Sequence, residues 1–460
     1  MINSSILPSS FRDPSGFLFI HDGVMYRQVN NIYKDNYDHL LHSKLYDSLV
    51  KQRLLVAHDE VTVESPMIDR VYKVIKPQHV SFISYPYEWC FSQLKDAALT
   101  TLEIQRRALD FGMCLKDCSA YNIQFVKGKP ILIDTLSLEK YVADRPWVAY
   151  RQFCQHFLAP LALMSYRDIR LGQLSRIHID GVPLDLTSLL LPFHSRLKFP
   201  LLSHIHLHAR SQRHFADKMV GKREHTMSRR SLIAIIDNLV SAIENLRWSP
   251  VGTEWSDYYQ DTNYSEEAIT HKKQILSEFV QRTKSKSVWD LGANIGTFSR
   301  VASDKGIETI AFDIDPGAVE RNYLDCIEKR EEHILPLLMD LTNPSSGIGW
   351  QNRERLSLIE RGPVDTVFAL ALVHHLAIAN NLPFDKIADF LSAICKYLVI
   401  EFVPKDDSQI CRLLATREDI FSEYTQHHFQ QKFSRYFRVK ERVPIRNSKR
   451  IMYLMEENSR

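Results

Sequence analysis

The sequence has little charge imbalance: 58 Lys and Arg stand against 55 Asp and Glu over 460 residues, a formal net charge of +3. That is too small to imply a nucleic-acid partner by itself. A cysteine framework is also missing. Cys90, Cys114, Cys118, Cys154, Cys326, Cys395 and Cys411 are scattered and odd in number, and Cys114 and Cys118 have no second pair to complement them. Structural zinc and a disulfide scaffold are therefore not expected, and a reducing cytoplasm is. The opening MINSSILPSSFRDPSG lacks the basic and apolar blocks of a signal peptide. The uncharged run from Thr366 to Phe384 contains two histidines, two asparagines and a proline, which argue for a buried strand and its loop against a membrane span. No membrane partner is expected. With 45% hydrophobic and 25% charged residues, what remains is an ordinary globular composition, and its length favours two or three domains over one core.

What is present is concentrated between Ser287 and Pro316, SVWDLGANIGTFSRVASDKGIETIAFDIDP. Val288, Trp289 and Leu291 around Asp290 form the short apolar run of a buried parallel strand. Gly292 and Gly296 bracket a turn where the backbone must bend sharply and approach a ligand, and Asn294 between them also tolerates positive φ. Apolar residues then recur at helical spacing through Phe298, Val301 and Ala302. A second run, Thr309 to Phe312, ends in Asp313 and Asp315, with Pro316 placed to begin a helix. A glycine turn followed by a carboxylate at the tip of the next strand suits a nucleotide-type ligand whose two ribose hydroxyls need an acceptor. No third glycine completes a G-x-G-x-x-G dinucleotide fingerprint.

Asp290-Leu-Gly292-Ala-Asn294-Ile-Gly296 resembles the first motif of class I S-adenosylmethionine-dependent methyltransferases, with Asn294 in place of the usual middle glycine. Asp313 falls where that family keeps its ribose-binding acid. The resemblance implies an α/β, doubly wound, seven-stranded Rossmann-like sheet over 246–460 and S-adenosylmethionine as cofactor. The downstream pattern continues that order. Ile334–Met339 reads as a third strand ending in Asp340, where the family has an acid near the adenine amino group. Val364–Val373 reads as a fourth strand running into His374 and His375, and Leu398–Ile400 as a fifth ending in Glu401. Phe437–Val443 and Arg450–Met455 can supply a closing antiparallel pair. Ligands of such sheets sit outside the C-terminal strand ends, so Asp290, Asp313, Asp340, His374 and Glu401 are expected along one crevice.

In-line attack on a sulfonium methyl needs alignment and, for a hydroxyl or amine acceptor, removal of a proton. His374 and His375 are the candidate bases, with packing under the cofactor as the alternative role, and Glu401 is the next candidate. ALVHHL after the fourth strand is not the Asn-Pro-Pro-Tyr motif of base amino-methylating enzymes. The acceptor, whether small molecule, glycan or macromolecule, is not identified.

Residues 1–245 read as an α+β domain: a small β-rich lobe over about 10–90, a helical lobe over about 91–209 and a basic linker over about 210–230. Asp22-Gly23 turns a hairpin within Gly16–Val29. In LKDCSAYNIQFVKGKPILIDTLSLEKY, Asp117 and Asn122 precede a hairpin whose second strand delivers Asp134. That order resembles the catalytic and metal-binding loops of the protein-kinase-like fold, aminoglycoside phosphotransferases included. The resemblance implies a base at Asp117 and magnesium at Asn122 and Asp134 if the domain is active. A glycine-rich loop and a V-A-I-K lysine are lacking, with Arg27 the nearest substitute, so a degenerate domain serving recognition or regulation is expected. In the simpler reading, Asp117 and Asn122 cap backbone groups of a loop. Ser203–Arg210 alternates as a strand would, putting His204, His206 and His208 on one face. The basic stretch after Arg210 is solvated surface, or a contact for an anionic partner such as nucleic acid. Trp255 and Tyr264 are candidate lid residues over the cofactor. The function expected is methyl transfer from S-adenosylmethionine; the alternatives are a bifunctional protein with an ATP-dependent N-terminal small-molecule kinase and a non-catalytic binding protein.

Overall fold

The computed structural model describes residues 4–210, 226–250, 265–415 and 418–458. The chain divides into two units, one holding the residues up to Trp248 with Ile348–Arg355, the other Ser249–Gly347 and Leu356–Arg460.

In the first unit, β1 (Ser4–Ile6), β2 (Gly16–His21), β3 (Val24–Asn30), β4 (His58–Val61) and β5 (Val71–Pro77) form an antiparallel sheet in the order β1-β2-β3-β5-β4. Asp22 and Gly23 turn the β2–β3 hairpin with φ of 49° and 76°, the left-handed pair that matches the twist of the strands. The helical pattern after β3 is split into Lys34–His42 and Leu45–Lys51 by Lys44 at φ 70°. Helix Phe91–Asp110 follows, burying Leu94, Ala97, Ala98, Leu102 and Leu109. Beyond it, β6 (Met113–Leu115) pairs with β9 (Leu138–Lys140), and β7 (Ile123–Val126) with β8 (Lys129–Leu132).

Ser203–Arg210 is not a strand. Leu202–Leu207 is a helical turn in which the buried His204 ring pairs with Tyr150 at 2.6 Å and Asn238 at 2.8 Å, and His206 with Ser188 at 2.8 Å and Ser195 at 2.9 Å. Eight residues of alternation do not distinguish a strand from a helix that buries its histidines against hydroxyls and an amide.

In the second unit, β10 (Ser287–Leu291), β11 (Glu308–Asp313), β12 (Ile334–Leu338), β13 (Val364–Ala369), β14 (Cys395–Phe402), β15 (Phe437–Pro444) and β16 (Ile451–Glu457) form one sheet in the order β12-β11-β10-β13-β14-β16-β15. The first five in that order run parallel; β16 is antiparallel to β14, and β15 to β16. Strand alternation sets the two faces. Val288, Phe368, Val399 and Leu454 pack with Leu276, Phe279 and Val280 of helix Glu266–Thr283, and Ala311 with Cys326 of helix Pro316–Lys329. Phe402 and Tyr453 point to the opposite face, onto Phe429 of helix Gln426–Phe433, which also touches Phe384 of helix Phe384–Ile394. This is the doubly wound α/β arrangement. Two strand ends differ from the expectation: β13 stops at Ala369, before Ala371 turns to φ 49°, and β14 continues through Glu401, placing that residue inside the strand.

Candidate functional site

The order of the sheet reverses about β10: its successor β11 lies on one side and β13 on the other. Such a switch opens a crevice beyond the C-terminal strand ends, and the glycine turn stands there. Gly292, Asn294 and Gly296 have φ of 77°, 51° and 77°. The amides of Gly292 and Ala293 both donate to the Phe312 carbonyl at 2.9 Å, tying the turn to β11. A Cβ on Gly296 would come within 2.6 Å of the Asn322 amide and 2.7 Å of the Arg300 guanidinium, side-chain ends that would have to shift, and its φ of 77° is one that L side chains rarely adopt. Among the described residues, a Cβ on Gly292 would meet Leu372, at 3.4 Å, an ordinary contact, so its φ of 77° and not crowding is what asks for glycine there. Arg300 braces the turn by donating to the Ile295 carbonyl at 2.7 Å while held by Glu331 at 2.8 Å.

Asp313 closes β11. One of its oxygens accepts the Asn294 amide at 2.7 Å and the other the Asp315 amide at 2.9 Å, while Asp315 caps the next helix by accepting the Gly317 amide at 2.7 Å. Burial raises the Asp313 carboxyl to about 6, against the pull of those backbone donors. Asp290 is likewise raised to about 6, by burial first, with the Ser299 hydroxyl at 2.7 Å and the Lys272 charge holding it down. Asp340 follows β12 and accepts the Thr342 amide at 2.8 Å and hydroxyl at 2.6 Å.

Behind the crevice lies an ion-pair network absent from the sequence reading. Lys272 donates to Glu401 Oε2 at 2.6 Å, with side chains 1% and 0% exposed. The same oxygen accepts the Ala371 amide at 2.9 Å, and Arg450 reaches Glu401 Oε1 at 3.5 Å while forking onto Asp407 at 2.7 and 3.0 Å. The Lys272 ammonium also stands 4.2 Å from the Phe298 ring centroid. One signal pointed to it: Lys272 falls in the buried stripe Ala268, Lys272, Ile275, Leu276, Phe279 of its helix, where a cation needs a buried partner. His374 is completely buried with neither ring nitrogen hydrogen-bonded, and its ring lies 4.2 Å from that of His375. Burial, then repulsion from a proton on His375 and from the Arg450 and Lys272 charges, pushes His374 well below the usual imidazole range; burial, then the Arg450 charge, takes the neutral His375 to about 4.

In the first unit, Asp117 accepts the Ser119 amide at 2.9 Å and the Gln152 side chain at 2.8 Å. Asn122 donates to Ser137 at 3.2 Å. Asp134 pairs with Arg27 at 2.8 Å and accepts the Leu136 amide at 2.9 Å and the Ser137 hydroxyl at 3.0 Å. These three side chains bind protein groups, and among the described residues no three His, Cys, Asp or Glu side chains gather as a metal site. Trp255 and Tyr264 lie outside the described residues.

No family model matches the chain. The nodulation protein NoeA of Rhizobium meliloti (strain 1021) is 35% identical to it over 459 residues, 98% of this chain and 95% of that protein. Among solved structures, a SAM-dependent methyltransferase from Aquifex aeolicus matches 46% of this chain and 100% of its own, at 14% identity and a TM-score of 0.32. Magnesium protoporphyrin IX methyltransferase from Synechocystis PCC 6803, solved with bound SAH, matches 44% of this chain and 93% of its own, at 13% identity and a TM-score of 0.31. The fold described above rests on the strand order and register.

Proposed function

The chain belongs to the same family as the nodulation protein NoeA, and we propose that its second unit is an S-adenosylmethionine-dependent methyltransferase, with the first unit given over to recognising the acceptor or regulating its transfer. The observation that carries this reading is the left-handed glycine turn at the switch point of the sheet, flanked by the buried carboxyls of Asp290 and Asp313. Burial raises both carboxyls despite the amides held by Asp313 and the Ser299 hydroxyl held by Asp290, and a ligand bearing hydroxyl donors and a positive charge favours their ionised forms.

In this reading Asp313 accepts the ribose hydroxyls, Asp340 the adenine amino group, and Asp290 faces the cationic methionine end. Bound S-adenosylmethionine supplies an electrophilic methyl for in-line transfer. The chain's own part is to align the acceptor and exclude water. His374 and His375 are held neutral by burial, and the cations beside His374 oppose its gaining a proton, so their role here is to pack beneath the transferring methyl. Glu401, committed to Lys272, Ala371 and Arg450, anchors the network and does not act as a base.

The pH dependence follows in sign. Both aspartates ionise at about 6 in the fold and at about 3.9 in an unfolded chain. The stability they contribute is therefore fully present below the unfolded value and lost as pH rises through about 6. Ribose hydroxyls prefer the ionised carboxylate, so S-adenosylmethionine affinity should fall as pH drops below about 6, by up to about tenfold per pH unit for each group. Calorimetric titration across that range tests it, and an affinity flat down to about pH 5 would detach both acids from the ligand. In turnover, His374→Asn and His375→Asn should leave the pH profile in place; loss of a titration step in either variant would make that histidine the base.

For the first unit, the inward bonding of Asp117, Asn122 and Asp134 supports recognition over phosphoryl transfer. ATP with magnesium is expected to leave the melting temperature of the protein unchanged. A thermal shift that Asp134→Ala abolishes would reassign this unit to a kinase.

A further inference from the structure

The first unit carries one short segment whose surface chemistry the methyl-transfer reading does not use. Between Leu189 and Phe199 four large apolar side chains stand in solvent: Leu189 is 68% exposed, Phe193 74%, Leu197 79% and Phe199 69%. Single exposed apolar residues are ordinary on any protein, whereas four within eleven residues concentrate exposed apolar surface in one short segment. The segment is well built beneath. Leu191, Ser195 and Leu201 are buried, and the Ser195 hydroxyl donates to the Pro192 carbonyl at 2.6 Å. The exposed side chains are thus displayed from anchored helical turns, Phe193–Leu197 and Phe199–Leu201.

The charges interleaved with them have one sign. Arg196 and Lys198 are exposed between the apolar residues, Arg210 is exposed further along, and no Asp or Glu occurs from Leu186 to Arg210. The Arg196 guanidinium lies 5.4 Å from the Phe193 ring centroid, a contact that keeps charge and ring side by side at the surface. Apolar side chains that enter the acyl boundary, flanked by cations at phosphate level, are the composition of an interfacial membrane contact. A second copy of the chain fits less well, because a two-fold contact through this patch would bring Arg196 and Lys198 toward their own duplicates. No helix among the described residues is long and apolar enough to cross a membrane, which bears on spanning and not on lying at the surface.

We propose that the Leu189–Phe199 face docks the protein onto an anionic lipid surface, with Phe193, Leu197 and Phe199 entering the interface and Arg196 and Lys198 pairing with headgroup phosphates. This departs from the sequence expectation of no membrane partner. The test is co-flotation of the full chain with vesicles of phosphatidylcholine alone and of phosphatidylcholine mixed with phosphatidylglycerol. The protein should float with the mixed vesicles and not with the neutral ones, and high salt should release it. Phe193→Ser/Leu197→Ser/Phe199→Ser should reduce the bound fraction by about tenfold or more. Arg196→Gln/Lys198→Gln, at two exposed positions, should reduce it comparably and decides the matter if the triple variant folds poorly. Wild-type protein that stays unbound in the presence of phosphatidylglycerol would overturn the proposal, as would binding that neither variant alters. A self-associated species in sedimentation velocity that the triple variant dissolves, without vesicle binding, would overturn it in favour of a second copy.

Discussion

Lys272→Met should destabilise the second unit by about 3 kcal/mol, near the lower end of what removal of one partner from a buried ion pair costs. Methionine fills nearly the same volume, so the loss measures charge and not a cavity. Without the ammonium, Glu401 keeps the Ala371 amide at 2.9 Å and Arg450 at 3.5 Å. That remaining cation is what places the expectation at the lower end. Arg450 cannot simply swing across, because two of its nitrogens are held on Asp407. Urea melts followed by circular dichroism would measure the loss. The double variant Lys272→Met/Glu401→Gln should recover part of it, since no unpaired carboxylate then remains buried. An unchanged midpoint in the single variant would mean that water reaches Glu401 and that the network is not the dry one described.

Asp313→Ala should weaken S-adenosylmethionine binding by about tenfold to a hundredfold, the worth of one charge-assisted hydrogen bond of roughly 1.5–3 kcal/mol. The carboxylate has a second task that adds to this. Its two oxygens hold the amides of Asn294 and Asp315, so its removal also loosens the glycine turn. Asp313→Asn is expected to be little better. Its single carbonyl oxygen can hold one of those amides, and its NH2 group then confronts the other. The alanine variant should also show a shallower loss of affinity below about pH 6, because one of the two titrating acids is gone. Calorimetry that finds equal affinity in wild type and variant would move the ligand away from β11.

The local pieces of the second unit were legible because each has a short-range cause. An apolar run closed by an acid is a parallel strand with its carboxylate at the C-terminal end, as at Asp313, and Asp290 sits one residue inside the end of its own strand. The left-handed positions fall on Gly292, Asn294 and Gly296, the residue types that bear them. Pro316 opens a helix because its fixed φ suits a first turn. In the first unit Asp22-Gly23 marked its hairpin for the same reason. Where a pattern is too short to have one period, as at Ser203–Arg210, sequence and structure part: the histidines there answer to Tyr150, Asn238, Ser188 and Ser195 and not to an alternation.

The sequence alone thus determined where the glycine turn, the strand-tip acids and the histidine pair would stand along the chain. The tertiary structure alone decided which of them are dry and what pairs with them. Lys272 and Glu401 are 129 residues apart, and nothing near either one names the other. They meet because strand alternation turns Glu401 to the face that helix Glu266–Thr283 covers. Glu401 read as the tip of a strand and a candidate base; inside β14 it is the anion of a buried network. Desolvation makes that difference, since it depends on everything packed around a group and so has no signature in the few residues beside it.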